Sequence, residues 1–208
     1  MRASVDAGTH RAAAYVQYVK REGRELTNFA TFSALDAHFH APAGRTIAWP
    51  RAFRSPESSA IAEFRREHAW EVDFHRYLQF ELDRQLASAA AGARASGLAI
   101  GLYQDVAIGV SRKGSDVWAR PDWFVTGASL GAPPDDYAKQ GQDWQLPPLN
   151  PLRLRADRYD YWIRMLRGSL AYGGALRIDH IMGLSRQFWI PAGRPPSEGA
   201  YLRFPWED

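Results

Sequence analysis

Two short apolar runs that each lead to an aspartate place the strongest constraint on how this chain folds. Residues 98–103 form the first run and precede Asp105, while residues 175–179 form the second and end in Asp179. Each run follows a segment with apolar residues at helical spacing, and short continuous apolar runs are typical of buried parallel strands. Helices that alternate with buried strands predict the α/β fold class with a parallel sheet.

Helical segments are concentrated in the first half of the chain. Apolar spacing predicts two short helices over residues 10–40 and a long helical stretch, with room for a bend, over residues 57–95. A loop punctuated by Pro and Gly separates them at residues 41–56. We therefore expect a helical domain at residues 1–95 and a strand-bearing domain at residues 96–208. The apolar face predicted for the long stretch includes Leu78, Leu82 and Leu86.

The second half begins with a segment that is dense in Gly, Pro, Asp and Trp, residues 111–151. A loop of that length inside a compact domain usually has a function or indicates that regular elements within it have been missed. Residues 159–170 then predict an amphipathic helix, which Gly173-Gly174 is expected to end, and residues 188–190 predict a further short strand.

Composition narrows the classes of function. The chain has 26 Lys and Arg against 23 Asp and Glu, without the basic cluster that a nucleic-acid surface usually has. The absence of Cys excludes disulfides and thiolate metal sites. Neither a signal-type segment nor a membrane-spanning apolar stretch occurs, so we expect no membrane partner and a cytoplasmic location. Eight Trp and nine Tyr suit either an ordinary core or flat platforms for sugar rings.

Asp179 is the sharpest candidate for a catalytic residue. It ends a predicted parallel strand, which is where α/β barrels carry their catalytic side chains. Arg177 lies two residues earlier and faces the same side of the strand, so its guanidinium favours the ionised form that a nucleophile requires. His180 follows and is suited to hydrogen-bond a sugar hydroxyl. An ordinary structural Arg–Asp pair explains this short segment at least as well.

A second acid and one loop complete the candidate site. Asp105 is flanked by apolar residues, so we expect it to be partly buried with a partner, either as a structural residue or at the mouth of the same barrel. The loop at residues 131–144 combines stiff prolines, aromatic rings and polar tips, which suits a polyol but also an ordinary surface loop. Its candidate contacts are Asp135, Asp136, Tyr137, Gln142 and Trp144.

Histidine spacing predicts no metal site. His38 and His40 lie two residues apart without a third ligand at a suitable spacing, and we interpret them as surface residues. His68 and His75 are expected on one helix face, where packing is the commoner role. We therefore expect no metal and no organic cofactor.

Together these segments resemble the 4-α-glucanotransferase family, also called amylomaltase or disproportionating enzyme, of the α-amylase clan. The resemblance extends over nearly the whole chain and keeps the family's order of motifs. The matching motifs are residues 101–110, residues 131–135, Gly141-Gln142-Asp143-Trp144 with Leu146-Pro147-Pro148, residues 174–183 and Gly199-Ala200-Tyr201.

The resemblance implies a partial (β/α)₈ TIM barrel with a helical insertion in its first half. It assigns Asp179 as the nucleophile and Arg177 as its charge partner. It assigns substrate binding to His180, Asp105, Asp135, Tyr137, Gln142 and Trp144. The implied reaction is a retaining double displacement that moves α-1,4-glucan segments between maltooligosaccharides, without a cofactor.

The sequence departs from the family at two points. The family's acid/base Glu belongs to a Glu-Asp-Leu-Gly-like motif that this sequence does not contain, and neither Glu198 nor Glu207 stands in a matching context. We therefore expect the isolated chain to be inactive, and also poorly soluble because strand edges of an open barrel would be exposed. Gln145 stands where the family often has Gly, which affects the local loop. A non-catalytic α-glucan-binding module is the alternative function.

Overall fold

The computed structural model describes residues 10–39, 49–107 and 109–204. His40 and residues 41–48, the first half of the loop predicted at residues 41–56, lie outside the described residues. The chain divides into two compact units, Met1–Ser88 and Ala89–Asp208. The predicted domain boundary after residue 95 stays a prediction.

The first unit is helical, and its helices break where the sequence offers a break. Helix α1 spans His10–Phe39, but Gly23 has non-helical angles (φ 58°, ψ −128°), so two helical runs are joined there as predicted. Helix α2, Ser59–Glu67, begins after Ser58, whose side chain accepts a hydrogen bond from the Ile61 N–H. Helix α3, Ala69–Ala95, follows after one intervening residue, His68.

The core of this unit corrects two expectations. Leu78, Leu82 and Leu86 are exposed, and the buried positions of α3 within the unit are Val72 and Phe80, because these are the positions that turn towards the core. The break after α2 also means that His68 and His75 do not share one helix. The remaining apolar core side chains of the unit are Leu26, Ala30, Ala34, Leu35, Ile61 and Phe64.

The second unit combines short helices with six strands, so the chain is of the α/β class. The strands are β1 Leu102–Val106, β2 Ala128–Ala132, β3 Gln142–Leu146, β4 Gly173–Ile178, β5 Arg186–Pro191 and β6 Ala200–Arg203. The α-helices are α4 Ser115–Ala119, α5 Pro151–Ala156 and α6 Asp160–Leu170. Short 3₁₀ helices occur at Arg51–Phe53 in the first unit and at Pro121–Trp123, Ile181–Leu184 and Pro196–Glu198 in the second.

The strands of the described residues form two sheets, one parallel and one antiparallel. Strands β1 and β4 pair in parallel, and α6 packs against both of them. The other four strands form an antiparallel sheet in the order β3-β2-β5-β6. The predicted parallel sheet is thus confirmed for two strands, and the segment predicted as one long loop at 111–151 contains two strands and two helices instead.

Glycine shifts the start of both strands of the parallel pair. Strand β1 begins later than predicted, and strand β4 begins earlier. The apolar run at 98–103 is not the strand: Gly101 has a positive φ of 71°, the strand starts at the next residue, and Leu98 and Ile100 are exposed. Gly173 and Gly174 do not end the preceding helix but open β4, since α6 stops at Leu170.

A hydrophobic cluster fixes the helices that precede β4. Helix α5 begins at Asn150, whose side chain accepts hydrogen bonds from the Leu152 and Arg153 N–H groups, and Pro151 occupies the first turn. Tyr161 and Trp162 of α6 pack against the cluster, and burial raises the pKa of Tyr161. The buried members are Val117, Trp123, Phe124, Leu149 and Leu154.

Gly174 generates a stability prediction. A Cβ at this position would lie 1.7 Å from the carbonyl oxygen of Ile100, which is far inside van der Waals contact. We expect Gly174→Ala to lower the free energy of unfolding by about 1–3 kcal/mol, the usual cost of overpacking. Gly168→Ala in α6 is the matched control, because a Cβ there would have nothing within 4 Å of it and alanine favours a helix. Urea denaturation of the 208-residue chain measures both, and equal stability of the two variants would contradict the prediction.

The backbone of Gln145 generates a second stability prediction. Its φ is 58°, a left-handed conformation that costs a residue with a side chain about 1–2 kcal/mol. Glycine avoids this cost but gains about 0.5–1 kcal/mol of unfolded-state entropy. We therefore expect Gln145→Gly to leave the chain equally stable or slightly more stable, and Gln145→Val, which is β-branched, to destabilise it. Thermal unfolding followed by circular dichroism separates them, and a valine variant as stable as the glycine variant would be the opposite outcome.

Candidate active site

The carboxyl ends of β1 and β4 bring three charged side chains together. Asp105 pairs with Arg177 in the register of the two strands. The Nη1 atom of Arg177 lies 2.6 Å from Oδ2 of Asp105, and its Nη2 atom lies 2.8 Å from Oδ1 of Asp179. The Asp179 N–H also donates to the Val106 carbonyl at 3.1 Å, which continues the strand pairing to this residue. One guanidinium therefore bridges the ends of both strands.

Asp105 is not partly buried, which corrects the expectation from its apolar neighbours. Its side chain is 59% exposed, and the next residue, Val106, is buried. Alternate residues of a strand face opposite sides, so the valine enters the core while the aspartate joins Arg177 on the open side. The expectation of a charged partner is confirmed.

The two carboxylates stabilise the charged form of the Arg177 side chain. The hydrogen bond from Arg177 to Asp105, followed by the charges of Asp105 and Asp179, raises the pKa of the guanidinium above its ordinary value. Arg177 is cationic at neutral pH, and each of its two terminal nitrogens binds one aspartate.

His180 follows the strand end in a strained but supported position. Its backbone is left-handed (φ 50°, ψ 57°), and it precedes the 3₁₀ turn Ile181–Leu184, in which the Gly183 N–H donates to the His180 carbonyl at 2.7 Å. The imidazole lies edge-on to the indole of Trp144, with ring centroids 5.2 Å apart. Burial lowers the pKa of His180, and the charge of Asp179 opposes that shift. The imidazole is thus neutral at neutral pH, with one donor and one acceptor nitrogen.

Trp144 is held by the irregular pairing of β3 with β2. Its indole N–H donates to Oε1 of Gln142 at 2.9 Å. The register of the two strands shifts at Leu130, and the left-handed Gln145 lies in the shifted segment. The glutamine that replaces the family's usual glycine therefore still adopts a backbone conformation that glycine favours.

Asp135 and Tyr137 lie in the loop between β2 and β3. The carboxylate of Asp135 accepts the backbone N–H groups of Tyr137 and Ala138, and its own N–H donates to the Ala138 carbonyl. This turn fixes the shape of the loop and leaves Tyr137 fully exposed. The contacts of Asp135 are thus within its own loop, whereas Trp144, whose indole is bonded to Gln142, contacts His180.

Three residues support the site without having been singled out: Ser129 and Gln187 have no signal in the sequence, and Asp143 lies within one of the matching motifs. Ser129 donates to the Asp143 carboxylate at 2.6 Å, and the same oxygen accepts the Gln145 N–H at 2.8 Å. Gln187 is buried in β5 and contacts the turn after His180. Ser129 meets Asp143 only through the pairing of β2 with β3, whereas Gln187 lies four residues from Gly183 and its contact depends on the turn between them.

Other types of site are not found in the described part of the chain. No group of three or more His, Asp or Glu side chains could hold a metal ion among residues 10–39, 49–107 and 109–204. His38 is exposed, as expected for a surface residue, and its ring also packs against those of Phe39, Phe64 and His68. Within the same residues, no helix combines the length and the apolar character that a membrane span requires.

Comparisons with known proteins identify relatives of the chain. A 4-alpha-glucanotransferase from Mycobacterium tuberculosis is 44% identical over 194 residues, which are 93% of this chain and 26% of the relative. A 4-alpha-glucanotransferase from Haemophilus influenzae is 34% identical over 211 residues, which cover 99% of this chain and 30% of the relative. This chain thus spans about a quarter to a third of these relatives.

Solved structures resemble the chain as well. The amylomaltase from Corynebacterium glutamicum superposes with a TM-score of 0.79 at 35% identity, over 94% of this chain and 25% of that one. The amylomaltase from Streptococcus agalactiae, solved in complex with acarbose, superposes with a TM-score of 0.83 at 25% identity, over 95% of this chain and 41% of that one. The family model described as 4-alpha-glucanotransferase matches residues 2–208. The chain therefore belongs to the 4-alpha-glucanotransferase family.

Proposed function

We propose that this chain contributes the nucleophile side of a 4-α-glucanotransferase active site. The observation that carries the proposal is the Arg177 guanidinium, which joins Asp105 and Asp179 at the ends of two parallel strands. The relatives named as 4-alpha-glucanotransferases and the sequence motifs support the same activity. The substrates are α-1,4-glucans and maltooligosaccharides.

The architecture is a partial (β/α)₈ barrel. The parallel pair β1–β4 with α6 packed on it is a fragment of the pattern that a barrel repeats. Each strand of the pair has one edge without a partner strand among the described residues. The side chain of Tyr103 on β1 is exposed. Further parallel strands at these edges would complete the barrel.

The reaction is a double displacement. An Asp179 carboxylate oxygen attacks the anomeric carbon, the glycosidic bond breaks, and the leaving glucan oxygen takes a proton from a second carboxyl group. The 4-hydroxyl of an acceptor glucan then attacks the glycosyl-enzyme, gives its proton to that second carboxylate and releases Asp179. Arg177 binds Oδ1 of Asp179, and Oδ2 has no hydrogen bond within the described residues, which leaves it for the attack.

The second carboxyl group does not come from this site. Asp179 is assigned to the attack, and the Asp105 carboxylate is turned to the Arg177 guanidinium at 2.6 Å, so neither is placed to give a proton to the leaving group. In retaining enzymes the proton donor stands about 5–5.5 Å from the nucleophile. We therefore assign it to a part of the enzyme that this chain does not contain, and we expect the isolated chain to be inactive.

Glucan contacts follow from the neighbours of the nucleophile. His180 is neutral and presents a donor and an acceptor, and Trp144 offers a ring beside it. The side-chain oxygen of Gln142 accepts the indole N–H of Trp144, and its NH₂ group has no acceptor among the described residues. That NH₂ group is therefore available to donate to a glucan hydroxyl. Asp135 orders the loop that exposes Tyr137, so its contribution to glucan binding is to shape that surface.

A chimera tests the proposal. This chain would replace the matching segment of the Corynebacterium glutamicum amylomaltase, and maltotriose disproportionation would be measured as glucose release. We expect the chimera to be active and Asp179→Asn in it to lose activity by about 10⁴-fold or more, as is usual when a nucleophile is removed. Asp122→Asn is the matched control, because that side chain is exposed in the 3₁₀ helix Pro121–Trp123 and belongs to neither the catalytic nor the glucan-binding residues.

Three outcomes would count against the proposal. Full activity of the Asp179→Asn chimera would exclude Asp179 as the nucleophile. A folded chimera that binds maltooligosaccharides without transferring them would favour the α-glucan-binding module. Disproportionation by the 208-residue chain alone would contradict the assignment of the proton donor to another part of the enzyme.

Arg177 gives a separate prediction. Arg177→Met leaves two carboxylates without their shared cation, so we expect kcat of the chimera to fall by about 10²-fold, the scale of losing one preorganised electrostatic contact. Arg177→Lys restores the charge but not the two-ended geometry and should recover only part of the rate. Steady-state kinetics with maltotriose decide this, and a lysine variant equal to the original would show that charge alone suffices.

A further inference from the structure

The turn after the nucleophile needs support because its first residue is strained. His180 is left-handed, which costs a residue with a Cβ about 1–2 kcal/mol unless neighbouring contacts offset it. Gly183 closes the turn by donating to the His180 carbonyl, and it is itself buried. A Cβ on Gly183 would lie 3.2 Å from Cδ2 of His180, so the imidazole packs directly on this glycine.

Gln187 holds the other side of that glycine. Its side chain is on β5 and only 2% exposed, and its Nε2 atom donates to the Gly183 carbonyl at 3.3 Å. Trp189, on the same face two residues later, donates its indole N–H to Oε1 of Gln187 at 3.3 Å. The indole therefore fixes which end of the amide faces the turn, because only the NH₂ group can donate to a carbonyl.

The same pairing occurs across the sheet. Trp144 donates to Oε1 of Gln142 two residues earlier on β3, as Trp189 does to Gln187 on β5. One pair places the indole that touches the His180 ring, and the other holds the turn that carries the His180 backbone. The histidine is thus fixed from two strands of one antiparallel sheet, neither of which carries the nucleophile.

We propose that Gln187 is a positioning residue that holds the imidazole of His180 against Trp144. It acts through the Gly183 carbonyl and touches neither substrate nor the reacting atoms. The proposal rests on the proposed function only in that His180 is taken as a glucan contact. Loss of the Gln187 amide frees the buried Gly183 carbonyl, the turn relaxes, and His180 leaves the left-handed conformation.

The test is a measurement of where the ring lies. In the 208-residue chain, NMR gives the nuclear Overhauser effect between the His180 and Trp144 rings and the titration of the His180 Cε1–H signal. Gln187→Met keeps the length and burial of the side chain and removes its hydrogen bonds. We expect the Overhauser effect to weaken and the pKa of His180, which burial lowers, to rise towards that of an exposed histidine.

The controls separate this from general loosening of the fold. His75 has a pKa that burial also lowers, and it lies in the other unit, so its titration should not change. Asp179 is the charged neighbour of His180, and the Asp179→Asn variant reports its share of the titration. Trp189→Phe removes the contact that orients the Gln187 amide and should move His180 in the same direction by a smaller amount.

The outcomes are decisive in each case. An unchanged Overhauser effect and titration in folded Gln187→Met would overturn the proposal, and if that variant does not fold, the same result in Trp189→Phe would do so. In the chimera, Gln187→Met should raise KM for maltotriose several-fold and lower kcat by a smaller factor. Inactivity of every chimera would instead contradict the proposed function, while the NMR measurement would still decide the role of Gln187.

Discussion

The bridge that Arg177 makes between Asp105 and Asp179 is the interaction on which the rest of the site depends. It is made possible by the parallel register of β1 and β4, which sets Asp105 opposite Arg177 and brings the next acid to the same end. Because all three side chains are about half exposed, the bridge adds little to stability, and its role is to order two carboxylates. A cation fixed at both ends leaves each carboxylate one defined orientation.

The parallel pair can form this bridge only because glycine opens β4. Gly174 allows the chain to pass against the carbonyl of Ile100 at a distance that no other residue permits, and α6 then covers both strands. The antiparallel sheet has a similar requirement at Gly131, where a Cβ would lie 2.0 Å from the Gln142 carbonyl. Close backbone approach thus sets the position of the nucleophile strand and of the strand that carries Trp144.

Local patterns in the sequence predicted the elements that local forces determine. The break in α1 at Gly23, the division of the long helical stretch and the strand before Asp179 follow from glycine and from apolar spacing. The strand at 98–103 was placed too early because an apolar run marks low polarity and not backbone geometry, and Gly101 stops the extended conformation there. The exposure of Asp105 was missed because its apolar neighbours face the other side of the strand.

The site residues were predictable as chemical types but not as a network. Asp179, Arg177 and His180 are adjacent in sequence, so their proximity is visible there, whereas Ser129 and Asp143 meet across two strands that pair only in the fold. Gln187 contacts Gly183 only four residues away, but that contact depends on the turn between them. These contacts lie next to the two left-handed residues nearest the site, Gln145 and His180, and we infer that they offset the strain. A residue that is strained and held on both sides has one available position, which is the property that a sugar-binding side chain next to a nucleophile requires.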